Sequence, residues 1–599
     1  MITRRLHAAL LALLLGVVAT GHSAAGKKKP PGTVFQMDEQ KRAIHALNRL
    51  TFGPRPGDVA HVTAMGVDQW IDQQLHPSTI DDHALESRLA PLRTLRMDAR
   101  ELVEDFPSPQ VIEAVAKGKR SLPSDPTVRA VYLAELDRYE EKRERKQEIA
   151  NGSADAGVQP EKMVEADASR PVQDRVDTDQ QVQELLAMTP DERFSAVLKM
   201  PTQQRHEFNN SLKGKRDAFL DGMSPKQRET VQALNNPQQV VADELLEGKL
   251  LRATYSERQL EEVMVDFWFN HFNVFIGKGA DHYLLTSYER DVIRPRVMGK
   301  FGDLLVATAQ SPAMLFYLDN WLSVGPNSDV ANGVPKHAGA NWNRKPRNNA
   351  PVKQAKGKRN GLNENYGREL MELHTLGVNG GYTQKDVTEV ARVFTGWTLK
   401  EPGQGGGFSF DERMHEPGDK FVLGHRIKSK GEKEGLEVLH ILAHHPSTAK
   451  FVCSKLAMRF VSDNPPPALV ERMAQTFLKK DGDIREVLKT MLSSPEFWSD
   501  NVYRVKVKTP LEFTVSALRA SGAEIADAMP IARQLQTMGM PLYGAQPPTG
   551  YSTKAEAWVN SAALLGRMNF ALALAAGRFP GTQVNWQQIL GSPLPTDPH

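Results

Sequence analysis

Apolar residues recur at a 3.6-residue period along almost the whole chain, and this restricts the fold more than any other feature. A chain patterned this way buries its apolar surface between helices rather than between sheets. Asp38 reads as an N-cap, followed at helical spacing by Ala43, Ile44, Leu47 and Leu50. Ser256 and Gln259 have the spacing of a capping box opening a helix with Leu260, Val263, Met264, Phe267, Trp268, His271 and Phe272 on one broad face. Ser224-Pro225, Ser311-Pro312 and Thr509-Pro510 each place a cap residue before a proline at the first helical position. Residues 554–576 read as one long Ala/Leu-rich helix. Strand signals are few: Phe408–Phe410 and Lys420–Gly424 are expected to pair as a small β-hairpin. The prediction is a mainly α fold, a large multi-helical single domain with a minor β-hairpin and flexible insertions.

The only cysteine, Cys453, cannot form an internal disulfide, so packing must hold the fold. The N-terminus reads as an export signal. Arg4 and Arg5 precede a 12-residue apolar run, Ala8 to Ala19, and Ser23-Ala24-Ala25 forms a small-residue cleavage site. The run is short of the ~20 residues a spanning helix needs, so residues 1–25 read as a cleaved signal peptide and 26–37 as an exposed lead-in. The expectation is an exported protein, periplasmic or secreted, with no transmembrane anchor after cleavage. Lys and Arg total 75 against 72 Asp and Glu, and two of the three excess charges sit in the leader. Global charge therefore gives no argument for nucleic acid.

Two segments lack periodic order: the polar stretch 151–181 and the basic stretch 325–361, with eight Lys and Arg between Lys336 and Arg359. The first reads as a flexible linker. The second reads as a flexible loop, or as an anion-binding flap. Two repeats are visible. Met188-Thr-Pro is echoed by Met223-Ser-Pro, which marks 183–235 as a helical insertion. Lys300-Phe-Gly-Asp303 is echoed by Lys480-Asp-Gly-Asp483, each followed by Ser-Pro and then Asp-Asn, so 258–320 and 447–501 read as duplicated units or as a chance match. Residues 576–599 read as a C-terminal tail.

The densest polar pattern lies between Asn363 and Gly377. At 100° per residue, Asn365, Arg368, Glu369 and Glu372 fall within about 100° of each other and form one polar stripe beside an apolar one. Carboxylates three residues apart on a core edge raise each other's pKa unless a cation intervenes. Such an arrangement suits a general acid/base pair or a divalent metal, and it equally suits a buried salt-bridge network. On an ideal helix His374 falls on the far side from Glu372. His271 lies among aromatic residues on the next candidate helix and reads either as a core histidine or as a partner for Glu369 and Glu372. His415, in a glycine-rich loop, and Trp397 read as substrate contacts or as plain turn and packing residues. His444-His445-Pro446 reads as loop and cap chemistry. Nucleophile elbows, phosphate-binding loops, zinc-protease helices, dinucleotide fingerprints and haem attachment motifs are absent from the sequence.

Several of these stretches together resemble one bacterial family, called "domain of unknown function 1800". They are Asn48–Pro54, Asp266–Phe272, Asn363–Gly377, Ala391–Trp397, His445–Ala449, Phe497-Trp498 and Pro547–Tyr551. The resemblance spans about 38–575. It implies export and association with a second exported, sulfatase-like family, and hence a process such as polymer or glycan breakdown. The family loop usually reads His-Asp-x-Gly, whereas this chain has His415-Glu416-Pro417-Gly418.

From the residues and the resemblance together, the leading expectation is an exported enzyme. Its catalytic groups would be His271, Glu369 and Glu372. Asn365, Arg368, Trp397 and His415 would contact substrate, the last from a covering loop. The alternative is a non-enzymatic binding or assembly protein.

Overall fold

The computed structural model describes residues 37–150, 182–334 and 361–586, apart from positions 202, 203, 206, 207, 209–211, 213 and 214. The expected signal peptide, the expected lead-in to residue 36, the expected linker 151–181, the basic run 336–359 and the tail beyond 586 lie outside the described residues. The fold is predominantly α-helical, with a few strands of two or three residues. Described residues fall into two compact units, one within 1–89, 246–402 and 407–599, the other within 90–245 and 403–406. Among them no helix is long and apolar enough to cross a membrane.

In the first unit the caps act largely as the sequence predicts. Asp38 accepts from the Lys41 N–H at 2.8 Å and opens Glu39–Leu50, whose Ala43, Ala46, Leu47 and Leu50 are buried. Thr509 and Glu512 form a reciprocal capping box ahead of Pro510–Ala520. The box expected at Ser256 does not form. Ser256 Oγ accepts from Arg258 N–H, while Gln259 turns inward, donating to Ala253 and Ser256 carbonyls and accepting from Phe52 N–H. The helix it opens, Gln259–His271, is buried nearly all round, with Trp268 Nε1 donating to the Val297 carbonyl at 2.9 Å.

The predicted strands exist but pair differently. Phe408–Phe410 pairs with Trp397–Leu399, and Lys420–Val422 with His425–Ile427, each antiparallel. A tight turn at Leu423-Gly424, both at positive φ, makes the second hairpin local. The predicted helix 554–576 is interrupted: a turn at Ala555–Ala557 precedes Ser561–Ala575, which Asn560 caps by accepting from Ala563 N–H.

In both repeats the two matching motifs touch each other. Lys300 and Asp483 form an isolated antiparallel bridge, so the two Gly-Asp motifs meet backbone to backbone. Phe301 N–H donates to the Gly482 carbonyl and Ile484 N–H to that of Gly299. In the second unit, Thr189 and Ser224 each head a capping box, and Gln227 of one repeat donates to Asp191 of the other at 2.7 Å.

Candidate functional site

His271 ends the helix Gln259–His271 and is almost wholly buried. Its Nε2–H donates to the backbone carbonyl of His374 at 3.1 Å, which leaves Nδ1 as a lone-pair acceptor, and that atom has no partner. The His374 carbonyl is presented by a π-helical turn, Leu370–Leu376, in which Thr375 Oγ1 bonds back five residues to Leu370 O. That wider turn also swings the His374 ring inward, 6.3 Å from the His271 ring. A 100° projection assumes an unbroken α-helix and misses this. Burial drives the His271 pKa well below 6.5, and the charges of Lys455 and His374 lower it further, so the imidazole is neutral.

His271 lines a cavity of about 80 Å³ with Asp266, Asn270, Asn273, Lys455 and Tyr543 among its walls. Asn270 holds the cavity's far rim: its Nδ2 donates to Tyr551 O at 2.8 Å and its Oδ1 accepts from Tyr551 N–H at 2.7 Å. Gly550 makes that approach possible. It sits at φ +68°, and a Cβ there would lie 2.3 Å from Asn270 O. Another wall is ionic and closed. Lys249 pairs with Asp266 at 2.9 Å, and Tyr543 donates to Glu289 at 2.6 Å. Glu289 in turn pairs with Arg294, which forks onto Glu262.

Lys455 is the exception. Its ammonium lies against the Phe451 ring and has no carboxylate partner among the described residues. Burial pushes its pKa down to about 8. The cavity thus sets a neutral imidazole with a free lone pair beside a cation whose proton is unusually labile.

Glu369 and Glu372 stand elsewhere. The groups acting on His271 are Lys455 and His374, and neither carboxylate is among them. Both carboxylates are half-buried. Burial raises the Glu369 pKa, Glu372 raises it further and Arg368 opposes. Glu372 accepts from Tyr382 Oη at 3.1 Å. Arg368 turns away, bonding Gln384 at 2.8 Å and approaching Glu364. Asn365 is exposed, its backbone N–H held by Asn363. One link to the cavity exists. Burial pushes the Tyr317 phenol up to about 12, opposed by a hydrogen bond with the Asn273 side chain and reinforced by Asp281 and Glu369.

Trp397 is fully buried, packed on Phe394 and Phe408, with its ring pressed against Gly435. It packs the core and does not line the His271 cavity. His415 does not sit on a covering loop. It is sealed with Lys420 and Glu434, both 0 % exposed. Its Nδ1–H donates to Thr395 O at 2.8 Å, and Nε2 lies 3.2 Å from Lys420 Nζ and 3.1 Å from Glu434. The Lys420 ammonium has three acceptors for three protons: Glu416 O, Glu434 Oε2 and His415 Nε2. Glu416, the lengthened acid of the loop, accepts from Asn327 N–H and Nδ2 and faces Arg392. These are structural bonds. His445 caps Pro446–Phe460, as its place before proline predicts.

Lys455, Asn273 and Tyr543 were not legible as site residues, because they lie far apart in the chain and carry no local pattern. The nearest signal was the Pro547–Tyr551 stretch, which closes on Asn270. Among the described residues no three His, Cys, Asp or Glu side chains gather as a metal-ligand set.

The chain matches the family described as "Protein of unknown function (DUF1800)" over residues 45–597, nearly its whole length, and belongs to it. No curated protein matches it, and no solved structure does.

Proposed function

We propose that this member of the family is an exported enzyme whose proton transfers run through Lys455 and His271. One observation carries the reading: an unpaired lysine with a lowered pKa shares a cavity with a neutral histidine whose Nδ1 is free. Environments that push two titratable groups apart assign acid and base. At neutral pH Lys455 is protonated and donates, while His271 is unprotonated and accepts. Both working forms coexist from the depressed value of His271 up to about 8. Asn270 and Asn273 tie the backbone of Ala545, Pro547 and Tyr551 against the cavity and so keep its shape. Export is supported by the leader, and action on a polymer or glycan beside a sulfatase-like partner by the resemblance.

A panel of chromogenic glycosides and esters, assayed with the mature chain, Lys455→Met and His271→Gln, tests this. General acid–base groups contribute about 10²–10⁴ in rate. Each variant is expected to lose at least about 100-fold while keeping its fold, with wild-type activity falling above pH 8. Turnover indifferent to both substitutions refutes the reading. A second reading, an exported binding or assembly protein, draws on the C-terminal helix Ser561–Ala575, whose Leu564, Leu565 and Met568 are exposed.

A further inference from the structure

A second cavity, about 190 Å³, neighbours the first and shares Arg459, Lys506 and Glu512 with it. Five cations line it, Arg49, Arg459, Arg504, Lys506 and Lys508, against one carboxylate, Glu512. Some of this charge is balanced. Arg459 pairs with Glu512 at 2.7 Å, and Lys506 pairs with Asp463 and donates to Thr553 O. Three cations are not balanced. Among the described residues the side chain of Arg49, 5 % exposed, bonds only the Val502 carbonyl, and that of Lys508 only Ser516 Oγ. Arg504 is exposed, makes no hydrogen bond or ion pair among the described residues and sits at φ +58°, a backbone conformation a side-chain-bearing residue adopts at a cost. His45, also on the wall and 2 % exposed, has an unpartnered Nε2.

Burying Arg49 and half-burying Lys508 with no carboxylate partner of their own is expensive, and a bound anion offsets the cost. Planar guanidinium groups suit oxyanions because they offer paired parallel donors. We propose that this chamber binds a tetrahedral oxyanion, the phosphate or sulfate group of a ligand, with Arg49, Arg504 and Lys508 as its principal partners. His45 stays neutral, because burial and then Arg49 push its pKa down to about 3 against a hydrogen bond to the Phe497 backbone, so its Nε2 offers an acceptor lone pair and no charge. Burial pushes Lys508 down to about 8, with Arg49, Arg459 and Arg504 lowering it and Glu512 opposing. The ammonium form is the one that holds an anion, so binding weakens as pH rises through 8. The site lies beside the His271 cavity and does not rest on any chemistry there.

The test is calorimetric titration of the mature chain with sodium sulfate and, separately, sodium phosphate, at constant ionic strength set with chloride. Saturable binding of one anion per chain is expected. Sulfate keeps its charge over this range, so its affinity should fall about 10-fold between pH 7 and 9, as a group with pKa near 8 passes from mostly protonated to about one-tenth protonated. Lys508→Met should flatten that pH dependence. Arg504→Gly, which suits the left-handed backbone and removes no bond, should weaken binding at least 10-fold with an unchanged melting temperature. Equal binding of both anions supports recognition by charge alone. Preference for phosphate supports a phosphoryl ligand whose P–OH meets Glu512 or His45. Absence of saturable binding, or binding unchanged in both variants, overturns the proposal. Binding is read without turnover, so its failure leaves the Lys455–His271 reading standing, and the reverse also holds.

Discussion

Replacing Lys420 with Met keeps the side chain's length and apolar stem but deletes a buried charge with three acceptors. The variant leaves the Glu434 carboxylate, 0 % exposed, with the Lys430 and Gly431 N–H groups at 2.8 and 3.1 Å and His415 at 3.1 Å. Removing one partner of a buried pair costs about 3–5 kcal/mol, because the remaining charge stays desolvated. At about 2.1 cal/mol/K per residue over a unit of roughly 360 residues, that lowers the melting temperature by about 4–7 °C. The assay is thermal unfolding followed by circular dichroism at pH 7.5, beside the exposed control Lys428→Met. The pH dependence follows from Glu434. Burial alone would raise its pKa, but its contact with His415 and hydrogen bonds from Lys420 and the Lys430 N–H hold it below the usual carboxylate range. A depressed carboxyl contributes stability above its unfolded value of about 4.3 and loses it as pH falls through the folded value. The deficit of Lys420→Met should therefore shrink below about pH 4. A deficit no larger than that of Lys428→Met would refute the claim that His415, Lys420 and Glu434 hold the fold together.

Gly435→Ala would place a Cβ 2.3 Å from the Trp397 ring, and overpacking of this kind should cost about 1–3 kcal/mol in thermal unfolding, outweighing alanine's better helix propensity. Cys453 is fully buried and its thiol pKa is raised by burial, so Ellman's reagent should react with it only after unfolding. In the second unit, burial first and Glu244 second push Glu229 up to about 7, against Arg93. The folded chain then holds a proton that the unfolded chain releases near pH 4.3, so this contribution is present below pH 4 and is lost as pH rises to about 7. Glu229→Gln should flatten that slope in unfolding measured from pH 4 to 8.

The helical class was legible because periodicity and caps are local: Asp38, Thr509 and Ser224 do what their neighbours in sequence dictate. Strand pairing was not. Phe408–Phe410 and Lys420–Val422 both read as extended, but no residue in either announces that Trp397–Leu399 and His425–Ile427 are the partners. The candidate site was half legible. His271 stood out as a histidine on a buried stripe, yet its neighbour Lys455 looks like any helical lysine until packing removes its carboxylates. Of the polar stripe at 365–372, Glu372 acts on Glu369, while Asn365 is exposed and Arg368 turns to Gln384. Its orientation toward His271 was not legible, because the π-helical turn after Glu369 alters the angle per residue. Arg49 and Tyr551 sit in stretches that carry the family resemblance, and only the fold shows that these stretches converge on adjoining cavities.

The proposed proton transfer needs Lys455, with no carboxylate partner among the described residues, to sit beside a neutral His271. The most direct measurement is a ¹³C NMR titration of the chain labelled at lysine Cε, with the Lys455 signal assigned by its absence from Lys455→Met. A midpoint near 8 is expected, well below the ordinary lysine value of about 10.4. A midpoint at or above 10 would contradict it, because Lys455 would then be an ordinary solvated or ion-paired cation with no proton to give near neutral pH.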